Sequence, residues 1–247
     1  MRIFAILAAL LLAGCGGGGG DKNPPPPPQQ SPAGLWVGST GDNRKVSCLV
    51  FADNAVWCSY SYVDDPGFTE GFVQGVGSVS GNTFTANNGR DFNLADNAVF
   101  AGSVSATFTP RQSFSGTVYP GGTTFSLVYD ARFDSTPNLA AVAGTYGGQA
   151  AAIPGYGIEG AGAAIASNGT IYFASTFDGV NFCNALGALF PRSDGNAYNT
   201  GITFGEGCAN QGQTYTGVSF LDASGKQLTT LIVDNNRTTG GIFIGVK

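Results

Sequence analysis

The sequence contains no histidine, a single methionine and only 11% charged residues in 247. Without histidine the common Ser-His-Asp and Cys-His arrangements of nucleophilic catalysis are excluded. No Gly-x-Ser-x-Gly elbow and no phosphate-loop Gly-Lys-Ser/Thr occurs. No amphipathic pattern long enough for an extended helix is present. The opening apolar run, residues 3–12, is ten residues long, half of the roughly 20 that a membrane-spanning helix needs. Residues 155–160 match a dinucleotide-type Gly-x-Gly-x-x-Gly, but the surroundings read as strands, without the strand-turn-helix unit that such a loop requires. Paired carboxylates that could serve a glycosidase, Asp64, Asp65 and Glu70 or Glu159 and Glu206, read as turn acids.

What is present begins at the N-terminus. Arg2, the short apolar run and the small pair Ala13 and Gly14 form the pattern of an export signal over 1–14. The stretch Leu12-Ala13-Gly14-Cys15 resembles the lipobox of bacterial prolipoproteins. That resemblance implies cleavage before Cys15, a diacylglycerol on its thiol and acylation, palmitate included, of the new amine. Several chains together give stable anchoring where one gives marginal binding. Gly16 after the cysteine, in place of Asp, resembles the outer-membrane sorting pattern of Gram-negative lipoproteins, so the cell outer membrane is the expected address.

Residues 15–32 read as a lipidated, disordered tether in which a flexible run, 16–20, is followed by a stiff polyproline segment, 24–28. Fully extended it reaches roughly 55 Å at about 3.3 Å per residue. Loss of the signal removes Arg2, which leaves 10 basic against 16 acidic residues and a net charge near −6. Such a chain repels nucleic acid, so the expected partners are the membrane, through the lipid, and a small ligand or an envelope protein. No cofactor is expected.

The body is rich in Gly (39), with many Thr, Ser, Asn, Phe and Tyr, an all-β, turn-rich composition. Short alternating segments punctuated by Asn, Asp and Gly predict meanders of antiparallel strands. Internal echoes point to two similar β domains, 33–142 and 143–247. Residues 33–38 recur at 143–148, 52–56 at 166–170, 113–116 at 214–217 and 127–130 at 231–234.

With Cys15 assigned to lipid, Cys48, Cys58, Cys183 and Cys208 remain, an even number suited to an oxidising compartment. Three connectivities are open. Cys48 with Cys58 and Cys183 with Cys208 is favoured, because each pair then falls inside one half. Residues 49–51 and 56–57 read as strands around a turn at 52–55, which sets Cys48 opposite Cys58. Zinc is a poor alternative, with neither His nor a Cys-x-x-Cys pair.

Gly34-Leu35-Trp36 is similar to the Gly-x-Trp signature that starts the first strand of lipocalins and related calycin barrels, avidins among them; Gly144-Thr145-Tyr146 is its echo. The resemblance implies two small up-and-down barrels with a basic residue near the last strand covering the aromatic, and residues 133–142, before the second copy, look like the short helical turn that often precedes the signature. Arg132 and Arg237 stand near the ends of the two halves. If the barrels are filled, Trp36, Trp57, Phe84, Tyr146 and Tyr172 are packing residues. Tyr60, Tyr62, Phe68 and Phe72, around 64–67, are candidate ligand-binding aromatics on an acidic loop. A lipid-anchored, non-catalytic binding module is therefore the expected function, ahead of a structural or assembly factor of the outer membrane and of a carboxylate enzyme.

Overall fold

The computed structural model describes residues 30–62, 69–155, 157–177 and 181–247; the export signal, Cys15 and most of the tether lie outside them. The chain forms two closed, eight-stranded, antiparallel up-and-down barrels. The first contains β1 (Gly34–Thr40), β2 (Arg44–Val50), β3 (Ala55–Tyr62), β4 (Thr69–Val76), β5 (Ser78–Ser80), β6 (Thr83–Asn93), β7 (Ala98–Thr109), β8 (Ser113–Tyr119) and β9 (Thr123–Asp130). Sequential hairpin pairing runs round the ring, β1 pairs with β9, and the β4–β6 ladder completes it. β5 continues the line of β4 along β6 beyond a break at Gly77. There a Cβ would collide with the Phe84 ring, so the glycine leaves room for a core aromatic.

A 3-10 turn (Ala131–Asp134) and one helical turn (Leu139–Val142) lead into the second barrel. Its strands are β10 (Gly144–Ile153), β11 (Glu159–Ile165), β12 (Thr170–Phe177), β13 (Asn181–Pro191), β14 (Tyr198–Phe204), β15 (Thr214–Leu221), β16 (Gln227–Val233) and β17 (Gly240–Val246). β17 closes on β10. Closure leaves the second ring without a free edge and the first with only the three-residue β5 paired on one side, which protects a strand-rich chain from edge-to-edge association.

The two openings echo each other in structure. Trp36 Nε1 donates to the Pro32 carbonyl at 2.8 Å, and Tyr146 Oη donates to the Val142 carbonyl at 2.8 Å, each four residues back. Both rings are fully buried. The expected basic cover differs. Arg132 is paired with Asp130, and Trp36 is flanked instead by Phe114 and the edge of Tyr129. Arg237 crosses to the other barrel, and the cation over Tyr146 is Lys247, with Nζ 5.4 Å from the ring centroid.

The later echoes are out of step. Residues 113–116 and 127–130 lie on the seventh and eighth ring strands of the first barrel, whereas 214–217 and 231–234 lie on or just beyond the sixth and seventh of the second. Glycine-rich alternating strands resemble one another too closely for sequence to number them.

Between the barrels lies a third apolar core. Leu35, Leu49, Trp57, Phe72 and Phe92 project from the outer wall of the first barrel onto Val218, Phe220, Leu231, Val233 and Ile242 of the second. Phe72 stacks on Phe92 with centroids 4.5 Å apart, and Trp57 stacks on Phe72 at 6.4 Å. β16 is buried on both faces for this reason, Leu228 and Ile232 turned inward and Leu231 and Val233 onto the neighbouring barrel. Each such aromatic, fully buried, contributes about 1.5–3 kcal/mol. Polar clasps surround this core. Asn97 and the Gly155 backbone exchange two hydrogen bonds, Asp194 accepts from the Ala52 N–H, and Arg237 donates to the carbonyls of Gln74 and Asn88.

Candidate functional site: the hollow of the first barrel

Strand alternation sends every second residue inward, and inward volumes decide whether a small barrel is full. The second barrel turns Tyr146, Phe173, Tyr198, Tyr215 and Phe243 into its interior, and a void of about 80 Å³ remains. Buried hydroxyls there satisfy one another: Thr200, Ser219 and Thr230 form a ladder with two 2.7 Å hydrogen bonds. The first barrel places Gly89, Gly102, Val46, Val73 and Val104 at lining positions, and its hollow measures about 300 Å³. Phe84, Phe114 and Leu127 line its depth. Residues 119–121 and Thr123, in and beside the β8–β9 turn, line it with Thr40 on the side away from Trp36. The disulfide between Cys48 and Cys58, opposite residues of β2 and β3, lies in its wall. The second disulfide, Cys183–Cys208, ties β13 to the segment between β14 and β15.

One side of the hollow is polar. Tyr60 donates a 2.6 Å hydrogen bond to Asp91, and both residues line the cavity. Burial raises the Asp91 carboxyl above the usual carboxylate range, more than the Tyr60 hydrogen bond and the Arg44 charge lower it. Burial, with Asp91 beside it, drives the Tyr60 phenol strongly upward. The Arg44 guanidinium sits 5.3 Å from the Tyr60 ring centroid, and its Nε lies 3.1 Å from Glu70 Oε2 and 3.6 Å from Asp42 Oδ2. Glu70 is only 1% exposed, and its Oε2 is in ion-pairing reach of Arg44 although no N–H is aimed at it.

The four candidate aromatics do not form one loop cluster. Tyr60 is buried in the barrel wall facing the hollow; Tyr62, two residues on, is half exposed, with its phenol pushed up by the nearby Glu70 carboxylate. Phe72 faces the opposite way, into the core between the barrels, because it and Val73 occupy alternate faces of β4. Phe68 and the acids 64–65 lie outside the described residues. Among the packing residues, Trp57 belongs to the inter-barrel core and Tyr172 is exposed on an outer wall. Sequence reading passed over Asp91 and Arg44. Both line the interior from stretches that the sequence did not mark as strand, Arg44 at the start of β2 and Asp91 beyond Asn87-Asn88, where a bulge in β6 shifts the register. The dinucleotide-like glycines fall between β10 and the start of β11, with no helix after them.

A second surface feature stands apart. On the outer face of β13, Phe182, Leu186 and Phe190 are 60%, 61% and 62% exposed, and Tyr172 lies across from Leu186. No helix among the described residues is long and apolar enough to cross a membrane. No group of three or more His, Cys, Asp or Glu among them is placed to hold a metal ion.

No known protein family and no curated protein matches the chain. Among solved structures, a point mutant of the vaccine antigen transferrin-binding protein B from Haemophilus parasuis aligns at 9% identity and TM-score 0.25, covering 84% of this chain and 67% of that one. The Myxococcus xanthus hemagglutinin, solved with a mannopentaose, aligns at 15% identity and TM-score 0.19, covering 88% and 94%. Likenesses this distant carry no functional argument.

Proposed function

We propose that the protein is a lipid-anchored envelope protein of the outer membrane and a non-catalytic binding module, with Cys15 as the anchor, 15–32 as the tether and the hollow of the first barrel as the ligand site. The observation that carries this reading is the difference between the two barrels. One is filled by its own side chains, whereas the other keeps about 300 Å³, the lower end of the range of small-molecule sites. Its walls are apolar with a few convergent polar groups, the composition of a site that holds a body by burial and orients it by hydrogen bonds.

Native mass spectrometry of protein released gently from its own envelope, compared with the denatured sample, tests the reading. A discrete small mass lost on denaturation is expected. A bare polypeptide from every preparation, or a bound mass unaffected when the hollow is filled by Val104→Trp, overturns it. The exposed β13 row favours a second reading, docking to another envelope protein, since apolar side chains lined up on one face mark interaction surfaces. On that reading a co-purifying protein is lost with Leu186→Asp.

A further inference from the structure

We propose that the hollow of the first barrel takes a small organic cation, with its apolar body along the inner wall and a protonated amine, or a similar cationic donor, set on Asp91. The inference rests on the reading of this hollow as the ligand site and adds the chemical class of what fills it.

Charge accounting around the cavity leads to it. Among the described residues of the lining Arg44 is the one basic side chain, and it is engaged by Glu70 and Asp42. Asp91, the one acidic side chain among them, has no cation within ion-pairing distance among the described residues; its hydrogen bond comes from the neutral Tyr60 hydroxyl. A carboxylate beside an apolar space, with no counter-ion, is the costly half of an ion pair. A ligand cation would supply the missing half. An anion would instead meet Asp91, Glu70 and Asp42 against the single Arg44.

Ring positions agree with the charges. Phe100 and Tyr119 line the same cavity and stay about half exposed, and Tyr60 flanks Asp91. Aromatic faces attract cations, more strongly where the site is desolvated. A cation with an apolar body therefore uses every group in the lining, whereas a neutral body of the same shape leaves the Asp91 carboxylate further dehydrated and unpaired.

The test uses the full chain and a neutral reporter, N-phenyl-1-naphthylamine, whose fluorescence rises in an apolar cavity. Three competitors share one body: 4-phenylbutylammonium, 4-phenylbutanol and 4-phenylbutanoate. The dye is expected to bind the wild type and Asp91→Asn but not Val104→Trp. The ammonium is expected to displace it at a concentration at least tenfold below the alcohol, with the carboxylate weakest. That order should collapse in Asp91→Asn and in Asp91→Ser, the second variant guarding against a folding defect in the first. If the dye binds and the three competitors are equal, or the ammonium keeps its advantage in both variants, the cation inference fails while the hollow stands. If the dye does not bind the wild type, or binds Val104→Trp equally well, the hollow itself is refuted.

Discussion

The guanidinium of Arg192, on the second barrel, lies 3.7 Å from the ring centroid of Phe51, on the first. The same side chain donates to Asp194 at 2.8 Å and to Asn199 at 2.6 Å, and Asp194 in turn accepts from the Ala52 N–H. Arg192 is therefore both a cation–π contact and the clamp that orients a cross-barrel hydrogen bond. Arg192→Ala is expected to cost about 3.5–5 kcal/mol, the sum expected of a desolvated cation–π contact and a lost charged hydrogen bond. Urea denaturation measures it; a change under about 0.5 kcal/mol would show that the clamp is ornamental.

Gly240 of the second barrel packs against the aromatic stack of the first. A Cβ there would lie 2.5 Å from Phe92 Cδ1 and 2.7 Å from Phe72 Cζ. Gly240→Leu is expected to pry the faces apart at a cost of about 1–3 kcal/mol. Calorimetry should then resolve two unfolding transitions where the wild type, sharing one inter-barrel core, gives one. A single unshifted transition would refute the packing.

Loss of either disulfide, each replaced by a pair of serines, should cost about 2–4 kcal/mol. The separations are 10 and 25 residues, so the chain-entropy view makes the loss of Cys183–Cys208 larger by about 1 kcal/mol. The reverse order, measured by thermal unfolding, would point to strain or residual structure in place of entropy.

Four carboxyls make the protein acid-sensitive. Asp130 is held low by its Arg132 hydrogen bond; at Asp194, Asp222 and Asp234 burial pushes upward but is outweighed by hydrogen bonds from Arg192, from the Gln227 N–H and from the Thr239 N–H respectively. A depressed folded-state pKa contributes stability that is complete above the unfolded value and lost as pH falls through the folded one. The melting temperature should therefore fall below about pH 4, the unfolded Asp range. Asp91 has the opposite sign. Its raised value favours the folded state below the unfolded value, and that share disappears as pH rises. Asp91→Asn should thus raise the melting temperature near pH 7 and bring no gain near pH 3. An equal gain at both pH values would remove Asp91 from the account.

At the N-terminus, Cys15→Ser should abolish fatty-acid labelling and release the protein from membranes. Labelling that persists in the variant would overturn the anchor.

The sequence by itself determined that the body is built of alternating strands and marked several of them, because alternation and turn chemistry are local. Asn54, at positive φ, sits in the turn read at 52–55. It also determined the all-β class and the kinship of Gly34-Leu35-Trp36 with Gly144-Thr145-Tyr146, whose aromatics each bond the carbonyl four residues back. Tertiary structure decided what each strand face meets. Phe72 and Val73 are both apolar, and nothing local sends one to the inter-barrel core and the other to the hollow. Likewise, a hollow is the volume left over when eight strands close around side chains of unequal size. That remainder depends on Gly89, Gly102, Val104, Val46 and Val73 all lining the interior, a sum over residues far apart in the chain, and closure of the ring is what brings Arg44 and Asp91 to the wall of one cavity.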